Sequence, residues 1–250
     1  MLMQTITFHQ RLRAASLHLL LSACVLSTAI YLIFWIWYPA PLHIAVGVTK
    51  IYLIIFLVSL IIGPLLTLIV YKHDKKKLCF DITFIVSIQI LTFLYGMNTV
   101  EQGRPAWLVF VVDDFELVSP ADIKQQDTEA IHAGYQASFW SGPQWIAAQY
   151  SKKTDIKQQQ KEDEIFLGIS IATRLETYAP IEQASQAILK RSQPLQELKA
   201  FNAKKYVNNI LDVWPQATAW LPLKTPEQDM VVLINAQGMP LATVNLKPWD

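Results

Sequence analysis

Three carboxylates lie close together in this sequence, at Asp113, Asp114 and Glu116. Grouped carboxylates can act as a general acid and a general base, or they can bind a hard cation. Asp113 and Asp114 fall between two runs of β-branched and aromatic residues, where Asp is also favoured for purely conformational reasons in a hairpin turn. Glu116 falls in the strand that follows, whose successive side chains point to opposite faces. The pattern therefore favours a turn over a catalytic or metal site.

Nucleophilic chemistry finds little support elsewhere in the sequence. The two cysteines, Cys24 and Cys79, both fall in the apolar first hundred residues, and His132 is the one histidine after them. A Ser-His-Asp mechanism would have to use His132, yet no Gly-x-Ser-x-Gly motif accompanies it. We therefore expect no catalytic residue, no metal ligand set and no cofactor, and we predict that the protein is not an enzyme.

The composition is typical of a membrane protein. Charged residues make up 16% of the 250 residues and apolar ones 52%, whereas soluble domains average about 25% charged. The formal net charge is only +1, and residues 101–250 carry more acidic than basic side chains. Nucleic-acid binding usually requires a strongly basic surface, so we exclude that class of partner.

Three apolar segments, at about 14–38, 51–71 and 82–100, are long enough to cross a bilayer. The aromatic cluster Trp35, Trp37 and Tyr38 ends the first segment and is typical of a membrane interface. Residues 21–24, Leu-Ser-Ala-Cys, also match a lipoprotein cleavage motif. The chain after Cys24 continues as a strongly apolar helix with no polar tether, so an uncleaved span is favoured.

The basic residues predict the orientation. Positive charge concentrates in cytoplasmic loops, and here it clusters before the first span and between the second and third, at Arg11, Arg13, Lys72, Lys75, Lys76 and Lys77. The N-terminus is then cytoplasmic, residues 39–50 form a short outside loop, and residues 104–250 lie in the bacterial periplasm.

The pattern changes to that of a soluble domain after residue 104. Strands are expected at 107–112, 115–118 and near 143–150, and three more follow residue 217, with a hairpin turn at 236–238. Helices are expected at about 161–173, 181–191 and 195–211. The fold class predicted is thus a three-helix transmembrane region, residues 1–100, followed by a small α+β periplasmic domain, residues 104–250.

Small residues recur every four positions in the second span, at Ser59, Gly63 and Thr67, and Pro64 follows the glycine. Such a stripe lets another helix approach closely, and proline can kink the helix. The neighbour is either another helix of this chain or a partner helix, and the sequence leaves both open.

Four stretches resemble the type IV pilin accessory proteins of the TfpX/TfpZ kind. They are "WYPAPL", "GPLLTLIVYKHDKKKLCFD", "IQILTFLYGMNTVEQGRPAWLVFVVDDFELVSPADI" and "LPLKTPEQDMVVLINAQGMPLATVNLKPW". The resemblance implies an inner-membrane protein that modulates pilin assembly and the number of surface pili. Its expected partners are a cognate type IV pilin, which has one apolar membrane helix and an outer head, and membrane lipid.

Two other classes of function stay open beside this one. One is a membrane-anchored periplasmic binding protein unrelated to pili, and the other, less favoured, is an envelope enzyme. A sensor is disfavoured because the predicted cytoplasmic segments are too short to hold an output domain.

Overall fold

The computed structural model describes residues 2–71, 76–123 and 135–249. The chain forms two compact units. We call Met1–Trp35 with Val48–Gln102 the membrane unit, and Ile36–Gly47 with Gly103–Asp250 the sheet unit. Residues 36–47, although they stand between the two parts of the membrane unit in the sequence, belong to the sheet unit.

The membrane unit contains three helices that are long and apolar enough to cross a membrane, Phe8–Trp37, Val48–Val70 and Leu78–Gln102, as predicted. The first comprises α1 (Leu2–Tyr31) and a π-helical segment (Leu32–Trp37). The second comprises α3 (Val48–Leu57), a π-helical segment (Val58–Ile62) and α4 (Gly63–Val70); the third is α5 (Leu78–Gln102). All three begin before the predicted apolar limits, and the third also ends after its limit, because backbone hydrogen bonding continues where the side chains become polar.

The sheet unit is built on one mixed sheet of eight described strands, which confirms the α+β class. The strands are β1 (Trp107–Val111), β2 (Asp114–Val118), β3 (Gln144–Ala148), β4 (Tyr178–Pro180), β5 (Gln193–Pro194), β6 (Ala217–Lys224), β7 (Met230–Asn235) and β8 (Pro240–Val244). Their order is β4-β3-β1-β2-β6-β7-β8, and β5 pairs with β6. The pairs β1–β3 and β2–β6 are parallel, and the remaining pairs are antiparallel.

Apolar side chains cover both faces of this sheet. Every residue of the central strand β1 is buried, as expected for a strand between two layers. Leu108 and Phe110 face a core that includes Leu42 and Ala45 from α2 (Leu42–Val46) and Ile188 from α7 (Ser185–Arg191). On the opposite face, the segment 171–178 covers β1 and β3, while α8 (Leu198–Phe201) and α9 (Lys204–Val213) cover β6 and β7.

The predicted helix boundaries were less accurate than the strands. The helix expected at 161–173 is α6, Thr154–Leu167, which ends where Gly168 takes a left-handed φ of 64°. The helix expected at 181–191 begins as a 3₁₀ turn, Ile181–Ala184, before α7. The single helix expected at 195–211 was wrong, because Asn202 separates α8 from α9. Its amide group donates to Leu198 O and Lys247 O and accepts from Lys247 N.

Both predicted hairpin turns are present, with one shift of register. The β1–β2 turn consists of Val112 and Asp113, so Asp114 already belongs to β2. Val112 has a φ of 53°, which is unusual for a β-branched residue. In the β7–β8 turn, Gly238 has a φ of 78°, and an added Cβ would lie 2.2 Å from Ser185 O. Glycine is required there on both grounds.

Candidate partner-binding groove

A proline in the second span leaves a backbone carbonyl without its helical donor. In the π-helical segment the N–H of Gly63 bonds to Val58 O, so the same i+5 pattern would pair residue 64 with Ser59 O. Pro64 has no N–H to donate. Gln89 Nε2 of α5 donates to Ser59 O instead, at 2.8 Å, and also reaches Ser22 Oγ at 3.1 Å. One glutamine therefore joins all three spans.

The predicted small-residue stripe packs within the membrane unit. Ser59, Gly63, Pro64 and Thr67 are all buried. A Cβ on Gly63 would lie 2.0 Å from Gln89 Oε1, so the glutamine occupies the space that the missing side chain leaves. Thr67 Oγ1 lies 2.7 Å from His18 Nδ1 of α1. At Gly63 the close approach is already made by this chain's own α5.

A groove lies beside the stripe, between α1 and α5. Its cavity has a volume of about 350 Å³, and its polar floor consists of His18, Ser22, Ser59, Thr67 and Gln89. Leu, Val and Ile side chains of α1 and α5 form the walls together with Phe93. We call this the membrane groove. No Asp, Glu, Lys or Arg is among its described lining residues, so it suits an apolar guest.

The floor of the membrane groove also holds an unused acceptor. Gln89 Oε1 is buried and has no hydrogen-bond partner among the described residues. Its amide nitrogen is held by Ser22 and Ser59, which fixes the orientation of the side chain. This acceptor is enclosed beside Gly63, where an added Cβ would lie 2.0 Å from it, so it is not exposed to a guest in the groove.

Of the three neighbouring carboxylates Asp113, Asp114 and Glu116, Asp114 forms an ion pair with Lys224 of β6. Asp114 Oδ2 lies 2.5 Å from Lys224 Nζ, and Glu116 lies opposite Lys224 in the β2–β6 register. Burial raises the pKa of the Asp114 and Glu116 carboxyls, while Lys224 opposes the shift at Asp114 and a Ser170 hydrogen bond opposes it at Glu116. Within the described residues no metal-ligating group of His, Cys, Asp or Glu is found.

The described topology residues are Arg11 and Arg13 in α1 and the exposed Lys76 and Lys77 just before α5. Lys72 and Lys75 lie outside the described residues, and so does His132. Cys24 lies within α1 and Cys79 within α5, and both thiols are free.

Sequence reasoning missed the role of the loop after the first span. Leu42 and Ala45 enter the core of the sheet unit, and Ala45 O accepts hydrogen bonds from the backbone N–H groups of Glu227 and Gln228. Two crossings separate this loop from the chain after the third span, so both must emerge on the same side of a membrane. The Leu42–Ala45 spacing of three was the available signal.

The predicted aromatic belt needs a correction. Trp37 and Tyr38 are only 1% and 2% exposed, because they pack inside the sheet unit. Of the three predicted residues only Trp35 is exposed. An aromatic cluster at the end of an apolar run cannot by itself distinguish a bilayer interface from the base of a folded unit.

The sheet unit also exposes three consecutive apolar residues at the end of α6, Ile165, Phe166 and Leu167. Nearby, the Tyr150 hydroxyl donates to Glu164, which together with burial raises the pKa of Tyr150 to about 12. Asp163 pairs with Arg174 at 2.5 Å. The end of α6 is thus held in place by polar contacts while its apolar side chains face solvent, which is typical of an interaction surface. We call it the α6 patch.

Fold and groove together define a membrane-anchored protein with three spans and an α+β unit. The family model described as fimbrial assembly protein FimB matches residues 6–47, which comprise most of the first span and the loop that enters the sheet unit. The chain belongs to the fimbrial assembly protein family.

Relatives from Dichelobacter nodosus extend the match. The fimbrial assembly proteins of serogroup I and serogroup E1 are each 29% identical over 196 residues, which is 77% of this chain and 76% of theirs. The fimbrial assembly protein of serogroups C1 and C2 is 34% identical over 113 residues, 44% of this chain and 86% of its own. No solved structure matches the chain significantly.

Proposed function

We propose that this protein is a non-enzymatic accessory protein of the bacterial inner membrane that binds a cognate type IV pilin and modulates pilus assembly and surface piliation. A role in fimbrial assembly follows from its family. The pilin partner, and the kinship with TfpX/TfpZ proteins, rest on the resemblance of the sequence. The sheet unit would lie in the periplasm, because Arg11, Arg13 and the Lys72–Lys77 cluster favour the cytoplasm.

The observation that carries the proposal is the membrane groove. A pilin in the membrane presents one apolar helix, and lipid offers no hydrophobic gain when two helices pair. Recognition must then come from close packing and hydrogen bonds. The groove supplies apolar walls for packing and a polar floor that includes His18 and Ser22.

The α6 patch gives the proposal a second contact outside the membrane. A pilin carries its head on the same side as its emerging helix, so a surface of the sheet unit can select among heads. Ile165, Phe166 and Leu167 are exposed by 75%, 78% and 66%, too much apolar surface for three neighbours without a partner. Replacing Phe166 by Ser should lower pilin capture and leave the melting temperature unchanged.

Photocrosslinking can test the groove with neighbouring control positions. Leu21 lines the groove and Leu20 does not, although they are 59% and 61% exposed. On α5, Ile90 lines it and Leu91 does not. Crosslinkers at Leu21 and Ile90 should capture the pilin, and those at Leu20 and Leu91 should capture lipid alone. Equal capture of pilin at all four positions, or at none, would contradict the groove.

Filling the groove gives an independent test. Val86→Trp should block the guest helix and change the number of surface pili, whereas Ile88→Trp adds the same bulk on a face that does not line the groove. Both variants should insert equally.

Reporter fusions at Asp250 should be active in the periplasm, and fusions within residues 72–77 should be cytoplasmic; the reverse pattern would overturn the orientation.

A further inference from the structure

A short segment of the sheet unit, residues 138–141, carries an indole into solvent. Trp140 is 73% exposed and its neighbour Phe139 is 44% exposed. The segment is a closed turn, because Ser141 donates from its N–H and its hydroxyl to Ser138 O, at 3.1 and 2.9 Å. We call it the tryptophan loop.

Two residues, Trp37 and Arg104, bind the tryptophan loop. Both lie where the chain enters the sheet unit. Trp37, the last residue of the first span, donates from Nε1 to Phe139 O at 2.8 Å and packs its ring edge-on against the Phe139 ring at 5.0 Å. Arg104 follows the third span by two residues. Its guanidinium is fully buried and donates to Ser138 O at 2.8 Å and Ser141 O at 3.0 Å.

This placement determines which medium the indole meets. The loop is bonded to two residues that stand, along the chain, next to the ends of the first and third spans. Tryptophan prefers the membrane–water interface, because its ring is apolar while its N–H still needs a polar partner. The sequence predicted Trp37 to lie at the membrane interface, but Trp37 is buried and contacts the loop instead.

We propose that Phe139 and Trp140 seat in the headgroup region of the bilayer and hold the sheet unit against the membrane surface. The ligand is the phospholipid interface on the side of the sheet unit. The bilayer is the occupant because the loop is hydrogen-bonded to Trp37 and Arg104, which lie at the end of the first span and two residues after the third. This inference does not depend on the pilin partner.

The chain provides a matched control in Phe166, which is 78% exposed. β1 and β3 run parallel, and both begin near Arg104 and Ser141. They end at Val111 and Ala148, beyond which Tyr150 bonds to Glu164 of α6. Phe166 is thus an equally exposed aromatic toward the other end of the strands.

The test uses the full chain with Cys24→Ser and Cys79→Ser, reconstituted without other proteins into vesicles of phosphatidylethanolamine and phosphatidylglycerol. A bimane label is attached to Trp140→Cys, to Phe166→Cys, or to Ser138→Cys, which retains Trp140. A nitroxide carried on the lipid near the headgroup should quench the labels at 138 and 140 and shift their emission to the blue, and it should leave the label at 166 unaffected.

Two outcomes decide the matter. Quenching at 138 alone still supports the anchor, since that variant keeps the indole, and Trp140→Ser added to it should then remove the quenching. Labels at 138 and 140 that are no more quenched than the label at 166 would overturn the proposal. Circular dichroism of each labelled variant confirms that the sheet unit is folded.

Discussion

Each unit of this protein is stabilised internally by a different force. The sheet unit buries apolar side chains on both faces of an eight-stranded sheet, where removal from water is the driving force. Most large exposed side chains of the membrane unit are apolar, and its helices are joined by contacts of Gln89, His18 and Thr67. Loss of an apolar side chain should therefore be the most destabilising type of change in the sheet unit, whereas loss of a polar side chain should be the most destabilising type in the membrane unit.

The largest effect is expected in the core of the sheet unit. Phe115 is fully buried, with its ring 5.5 Å from Phe110 and 5.4 Å from Trp145. Phe115→Ala should lower the free energy of unfolding by about 3–5 kcal/mol, through lost burial and the cavity left behind. Unfolding of the purified chain, followed by near-UV circular dichroism, measures this loss of free energy. Phe115→Leu should lower the free energy of unfolding by much less. Equal losses for the two variants would mean that packing volume is unimportant at this position.

A somewhat smaller loss is expected for a buried cation of the same unit. Arg104→Met keeps most of the side-chain volume but removes the guanidinium that donates to Ser141 O and, beside Ser141 itself, to Ser138 O. We expect about 2–3 kcal/mol of destabilisation, typical of losing charged hydrogen bonds in a buried site. Thermal melting gives the value, and amide hydrogen exchange should show faster opening at 138–141. Unchanged protection of that loop would argue against Arg104 as its support.

The membrane unit should respond to polar changes and by less. Gln89→Leu removes the donor from Ser59 O and should destabilise helix association by roughly 1 kcal/mol, the size usual for polar contacts between membrane helices. Unfolding in mixed detergent micelles measures it. Ile88→Leu, an apolar exchange on the same helix, should have no effect; a larger loss from Ile88→Leu would reverse the comparison.

The smallest effect concerns Glu116 and pH. Burial raises the folded-state pKa of this carboxyl above its ordinary 4.5, so the native state holds its proton more tightly than the unfolded chain. Stability should therefore fall as pH rises from 4.5 through the raised value. Glu116→Gln should remove that part of the slope and stabilise the sheet unit at neutral pH by less than about 1 kcal/mol. Urea unfolding across pH tests it, with the exposed Glu197→Gln as control; a steeper slope in Glu116→Gln would show the sign to be wrong.

Local patterns predicted the spans and strands because their signal lies within a few residues. The apolar runs, the β-branched and aromatic residues around Trp107 and Phe115, and the turn at Gly238 all belong to this class. The break at Asn202 could not be found in this way, since it depends on a contact with Lys247, 45 residues away. Helix propensity alone favoured continuity from 195 to 211.

The groove was accessible from sequence only in part. The sequence revealed a helix face suited to close approach, at Ser59, Gly63 and Thr67. Nothing local revealed that Gln89 occupies the space beside Gly63 on that face. The buried Trp37 and Tyr38 show the same limit, because an aromatic residue at the end of a span packs equally well against lipid or protein. The contacts at Gly63 and the burial of Trp37 and Tyr38 both depend on residues that are distant in the sequence.

The loop at residues 36–47 also sets the order in which the protein can be made. In the proposed orientation, this loop crosses the membrane with the first two spans during synthesis, long before the last strands exist. Leu42 and Ala45 must then wait uncovered for Leu223, Met230 and Val232 to arrive. A fragment cut at residue 103 would lack these core residues, so the sheet unit is completed only after the third span has been inserted.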